Sequence, residues 1–197
     1  MRIDRNLNIV IPVETDTGLV HVHSMPISTD AFHRYHLIIA KTFARIYNQG
    51  LGALAGPRVA ALLLRETAKD LAPVGAGAQA AEVAAREADG LLAEIRRLSN
   101  VSMPTPRGWE TIPCEEARNR GVISADDWED VENILVFFIV ACAMQRGEEL
   151  ETARQMTAAL LGVEYTSLNC TGFTASLRTS TETDSSSAKP TPSSIPS

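Results

Sequence analysis

The chain is short of the features on which most simple functional readings depend. It has three cysteines in 197 residues, Cys114, Cys142 and Cys170, odd in number and far apart. That excludes a disulfide framework and a paired-cysteine zinc motif, and predicts reduced thiols in a cytoplasm. Positive charge is in deficit, with 18 Lys and Arg against 24 Asp and Glu and a net charge of −6. Neutralising phosphates takes a basic surface, so neither nucleic acid nor an anionic membrane is an expected partner. The longest apolar run, ILVFFIVACAM at 134–144, has eleven residues, where crossing a bilayer takes about 20. The start of the chain lacks the apolar stretch and small-residue cleavage site of a signal peptide, so no export is expected. G-x-S-x-G, the P-loop and G-x-G-x-x-G are all missing. The glycines of GLGALAG at 50–56 have no lysine and no preceding strand, so they read as a helix-to-helix connection.

What is present reads as one ordinary globular unit, 45% apolar and 21% charged. LNIVIPV at 7–13, the turn ETDTG and the return GLVHVH predict a β-hairpin. Pro12 marks its first strand as an edge strand. The remainder reads as helices. Ser28 or Thr29 caps one that runs to about Gln49, with Phe32, Tyr35, Ile39, Phe43 and Ile46 on one face. Gly56-Pro57 opens a second, amphipathic through Val59, Leu62, Leu63 and Leu71. PVGAGAQ is a break, and an alanine-rich third helix follows with Gly90 as its weak point. SMPTPRGWETIP, with three prolines, reads as a loop. Ser124 and Asp127 form a capping box for a helix over about 125–145, and a last helix covers about 148–161 and ends at Gly162. From Ser176 to Ser197 there are twelve Ser or Thr and three prolines, too little apolar surface to offset chain entropy. The expected fold is mainly α with a short N-terminal β-hairpin, an α+β chain built as a helical bundle with a disordered C-terminal tail. Its expected parts are a hairpin at 1–27, a helical domain at 28–162 and a flexible tail at 163–197.

All four histidines fall in HVHSMPISTDAFHRYH, positions 21–36. His21 and His23 share one face of a strand, and His33 and His36 are neighbours on a helix. Four imidazoles, with Asp30 as a carboxylate, are able in principle to hold zinc, copper or nickel and support a small metal-dependent hydrolase. The preferred reading is packing: His36 in line with Phe32 and Ile39 facing the core, and His21 and His23 half-exposed. No metal, cofactor or catalytic residue is expected. Glu115 and Glu116 beside Cys114 would raise a thiol's pKa, the opposite of what a nucleophile needs. The run at 134–144 is apolar all round, so that helix is either the centre of a bundle or an interface. The acidic stretch ADDWEDVEN reads first as favourable charge at a helix N-terminus.

Four stretches carry a resemblance: RNLNIVIPVETDTGLVHVHSMPIS, LGALAGPRVAALLLRETA, GWETIPCEEARNRGVISADDWEDVENILVFFIVACAM and TSLNCTGFTASLRTSTETDSSS. Together the chain resembles the tail assembly chaperones of long-tailed, non-contractile bacteriophages and prophages, from about Asn6 onward. The resemblance rests on sequence texture and element order, with no catalytic signature. It implies a helical, self-associating protein that coats the tape measure protein and keeps it soluble. It also implies hand-over to tail tube protein, in some members through a longer frameshifted form to which the Ser/Thr/Pro tail would be a linker. The implied location is the host cytoplasm, with absence from the mature virion. No functional residue transfers by motif. The candidate contact residues, Leu62, Leu63 and Leu64 on the second helix and Phe137 and Phe138 on the central one, are chosen from the apolar pattern, with core packing the role expected first for each. A structural tail or connector component of the virion is the alternative.

Overall fold

The structure, a computed structural model, describes residues 2–3, 8–48, 50, 55–71, 78–162 and 164–165. Of the flexible tail expected at 163–197 only 164–165 are described, and they form a strand rather than a flexible segment. Of the break expected at 73–79, residues 78–79 are helical and 73–77 lie outside the described residues, as does Cys170. The elements are β1 (Arg2–Ile3), β2 (Ile9–Thr15), β3 (Gly18–Ser24), α1 (Thr29–Asn48), α2 (Gly56–Asp70), α3 (Ala78–Arg97), β4 (Ser99–Thr105), β5 (Gly108–Pro113), α4 (Cys114–Asn119), α5 (Ala125–Ala143), α6 (Gly147–Leu161) and β6 (Glu164–Tyr165). The α+β fold is as expected, but its β part is larger than one hairpin.

The segment expected to be a proline-rich loop is a second hairpin, β4–β5. Both hairpins use the same local chemistry. In T-D-T-G and T-P-R-G, a threonine and a glycine bracket two turn residues, and the threonine hydroxyl donates to the glycine carbonyl at 2.8 Å in each. Gly18 and Gly108 have φ of +118° and +117°, a region that side chains disfavour. The hairpins join through antiparallel β3 and β4, with α1–α3 inserted between them, and the sheet order is β5-β4-β3-β2-β1-β6. The hairpin at 1–27 and the segment at 28–162 therefore share one sheet. Proline remains tolerable for the reason strand prolines usually are. β1 pairs only with Ile9 and Val10, so Pro12 has no neighbour on that side among the described residues. Likewise β3 pairs with β4 only over Ser99–Ser102, short of Pro104.

Alternation along the strands sends one face into the core. Ile11, Val22, Val101 and Ile112 form a single apolar rung across four strands, and all four are buried. The helices pack against this face, with α5 at the centre. Ser124 and Asp127 form the expected capping box: the Asp127 amide donates to the Ser124 hydroxyl at 3.0 Å, and the Ser124 amide donates back to the Asp127 carboxylate at 3.2 Å. From Leu135 to Cys142 every residue is buried, so the all-round apolar run is core. α2 crosses it through small residues, Ala60 and Ala61. There the Asn133 side chain accepts from the Ala61 amide at 2.9 Å and donates to the Glu129 carbonyl at 3.0 Å. Both halves of a buried amide are thus satisfied.

Gly90, in the middle of α3, has a packing reason. A Cβ there would lie 2.7 Å from the Tyr35 hydroxyl of α1 and 3.4 Å from its ring carbon. Gly90→Ala gains helix propensity, about 1 kcal/mol, against displacement of a buried tyrosine. The single variant should therefore stay close to wild type in a urea melt. In a Tyr35→Phe background the same change should stabilise the chain by up to about 1 kcal/mol.

Candidate interaction surface

The five candidate contact residues divide sharply. Leu62 is 54% exposed, whereas Leu63, Leu64, Phe137 and Phe138 are buried. Four of the five are therefore core residues, the role expected first for each, and only Leu62 offers an exposed apolar side chain. The buried stripe of α2 is Ala60, Ala61, Leu63, Leu64, Thr67 and Ala68. That phase turns Leu62 outward between Arg58 and Lys69, both exposed. Phe137 sits at the middle of the core. Phe138, with Ile139, also lines a surface groove.

That groove lies where the segment entering α1 passes over the C-terminal half of α5. Its volume is about 180 Å³, and it is lined by Pro26, Ile27, Phe32, Phe138, Ile139 and Ala143, with Ser28, Thr29, Cys142 and Arg146 completing the wall. Ile27 and Phe32 are half-buried and pack against the core from one side only. The adjoining residues in the chain, Met25 and Met144, are 41% and 38% exposed. A second, polar groove between α1 and α3 is lined by Asp30, Arg34, Tyr35, Glu94 and Arg97 among others, but Glu94 and Arg97 are already paired with each other at 2.7 Å.

The histidines are placed the opposite way from the expected packing. His33 and His36 are exposed on α1, where the His33 carbonyl lies 2.8 Å from the His36 Nδ1. The core phase of α1 is Tyr35, Ile38, Ile39, Thr42 and Ile46, one step away from His36. His21 and His23 are buried on the sheet face opposite the apolar rung, in register with Ser102 and Asn100, and the His21 ring meets Trp109 edge-on at 5.3 Å. Among the described residues no three of His, Cys, Asp and Glu gather closely enough to hold a metal ion.

The strongest polar constellation was not foreseen. Glu132, in the middle of α5, is buried and accepts from Arg65 of α2 at 2.6 Å, Arg96 of α3 at 3.3 Å and the Trp128 indole at 3.2 Å. Arg96 continues to Glu115 of α4 at 3.3 Å and lies 6.0 Å over the Trp128 ring. One carboxylate thus joins α2, α3 and α5, and through Arg96 it reaches α4. Both its oxygens carry charge-assisted bonds, so its chemistry is that of a structural clamp. In the sequence Glu132 is one of five acids in ADDWEDVEN, and nothing local marks it as the one that is buried and must find partners.

Both described thiols are buried and inert. The Cys114 thiol is pushed up to about 12, first by burial, while Arg118 works against that shift and Glu115 adds to it. The expected acidic neighbour is thus a lesser cause than desolvation. Burial also raises Cys142, to about 11, against the hydrogen bond to Thr157 and the charge of Arg154. Unfolding returns both thiols to about 9. As pH rises above about 9 the unfolded chain releases protons that the folded chain keeps, so stability falls towards pH 11–12. Urea midpoints measured from neutral pH upward should fall more steeply for wild type than for Cys114→Ala/Cys142→Ala. Equal slopes would show that these thiols are not the groups titrating.

No family model, curated protein or solved structure matches this chain. Among the described residues no helix is long and apolar enough to cross a membrane. Function must therefore be argued from the surface and from the sequence resemblance.

Proposed function

We propose that this protein is a bacteriophage tail assembly chaperone, one that binds the tape measure protein, keeps it soluble in the host cytoplasm and helps recruit tail tube protein around it. The observation that carries the reading is the apolar groove with exposed methionines on either side in the chain. Such a surface suits a client whose sequence presents many similar apolar side chains. Methionine adapts to varied partners because its side chain is unbranched, flexible and polarizable. Weak contacts of this kind gain strength when several copies act along one extended client. Both oxygens of Glu132 are taken up by Arg65, Arg96 and Trp128, and the described thiols are protonated and covered; both features fit a protein whose work is binding.

Co-expression with the tape measure protein of the same phage tests this reading. The client should move from the insoluble to the soluble fraction when this chain is present. A client that stays wholly insoluble contradicts the proposal. A structural tail component is the second reading, and mass spectrometry of purified virions separates the two. A chaperone is missing from particles, whereas a connector is present at fixed stoichiometry.

A further inference from the structure

Resting on the interaction-protein reading, we infer that the groove between the entry to α1 and the end of α5 is the client contact. Its occupant is an amphipathic helix that inserts one apolar side chain and places a carboxylate beside Arg146. The lining is mostly apolar, with Ile27 and Phe32 from the entry to α1 and Phe138, Ile139 and Ala143 from α5. The groove's volume of about 180 Å³ exceeds the roughly 150 Å³ of an apolar cavity that accepts benzene. It therefore has room for one leucine-, methionine- or phenylalanine-sized group. Insertion of such a group is the helix-in-groove mode of recognition, with an apolar anchor and neighbours one turn away.

Charge selects the occupant. Arg146 is the single charged residue in the groove wall. It is exposed, and its guanidinium makes no ion pair among the described residues. The acids that follow it, Glu148 and Glu149, occupy the first turn of α6, where the helix N-terminus favours them. An arginine at the mouth of an apolar slot prefers a carboxylate with two oxygens to receive its planar fork. Met25 and Met144, next in the chain to the lining residues Pro26 and Ala143, are exposed and add flexible apolar surface that suits a helix of variable sequence.

Two synthetic amphipathic helical peptides test this, identical in their leucine face and differing only in glutamates or lysines beside it. Binding is read by fluorescence anisotropy on the full chain. The glutamate peptide should bind wild type more tightly than the lysine peptide. Arg146→Glu, an exposed change with no packing role, should reverse that preference, with about a tenfold loss for the glutamate peptide. Ile27→Asp should weaken both peptides by about tenfold or more, with circular dichroism confirming that it folds. Failure of the glutamate peptide to bind wild type would overturn the inference, as would affinities unchanged in both variants. Displacement of peptide by a second copy of the chain would also overturn it, by naming a different occupant. The solubility assay keeps this separate from the functional reading. If Arg146→Glu and Ile27→Asp both solubilise the tape measure protein as well as wild type, the groove is not the contact although the chaperone reading stands.

Discussion

Replacing Phe137 by alanine should lower stability by about 3–5 kcal/mol, and replacing it by aspartate should leave the chain unfolded. Phe137 is fully buried, as are Leu135 beside it and Leu64, Leu91 and Ile38 on three other helices. Truncation forfeits the transfer of a phenyl ring from water and leaves a cavity that a close-packed core cannot fill. A domain of this kind holds about 5–15 kcal/mol in total, so the alanine variant uses up a large share of it. The aspartate adds a buried carboxylate among apolar neighbours, and Arg65 and Arg96 already pair with Glu132. Thermal and urea melts read the first variant and far-UV circular dichroism the second. A fold that tolerates Phe137→Asp would mean that α5 is not central.

Glu132→Ala should cost about 3 kcal/mol, the low end for breaking a buried pair. The low end applies because Arg65 and Arg96 keep side-chain exposures of 40% and 27%, so water relieves part of their lost partner. The Trp128 indole, buried and now unpaired, gains no such relief. Glu132→Gln should fall between alanine and wild type, because its amide oxygen still accepts from Trp128 while the charge on both arginines is lost. Glu132→Met, which fills the volume without a polar atom, distinguishes the clamp from simple packing. If methionine is as stable as wild type, the network contributes shape and not attraction.

Much of the architecture was legible in the sequence where one local rule acted alone. The capping box at Ser124 and Asp127, the left-handed Gly162 that ends α6 and the first hairpin all follow from neighbours within a few residues. The errors arise where two signals compete. Pro104, Pro106 and Pro113 hid the second hairpin, although T-P-R-G repeats the threonine and glycine placement of T-D-T-G. Each proline is harmless because its position lacks a pairing neighbour or ends the strand, a property of sheet assembly that no local window contains. On α1 the expected apolar face holds, with Tyr35, Ile39 and Ile46 buried and Phe32 and Phe43 packed against the core, but His36, in line with Phe32 and Ile39 by spacing, lies just outside that face and is exposed. On α2 the run Leu62–Leu63–Leu64 offered no way to see which leucine turns outward, because that depends on where α5 lies. The groove was illegible for the same reason. It joins residues 26–32 with 138–146, which only the packed structure brings together.

The most direct measurement is size-exclusion chromatography with light scattering on this protein purified together with its phage's tape measure protein. The account predicts one soluble peak whose mass corresponds to several copies of this chain on each client. A clean monomer eluting apart from the client, with the client lost to the pellet, would contradict it.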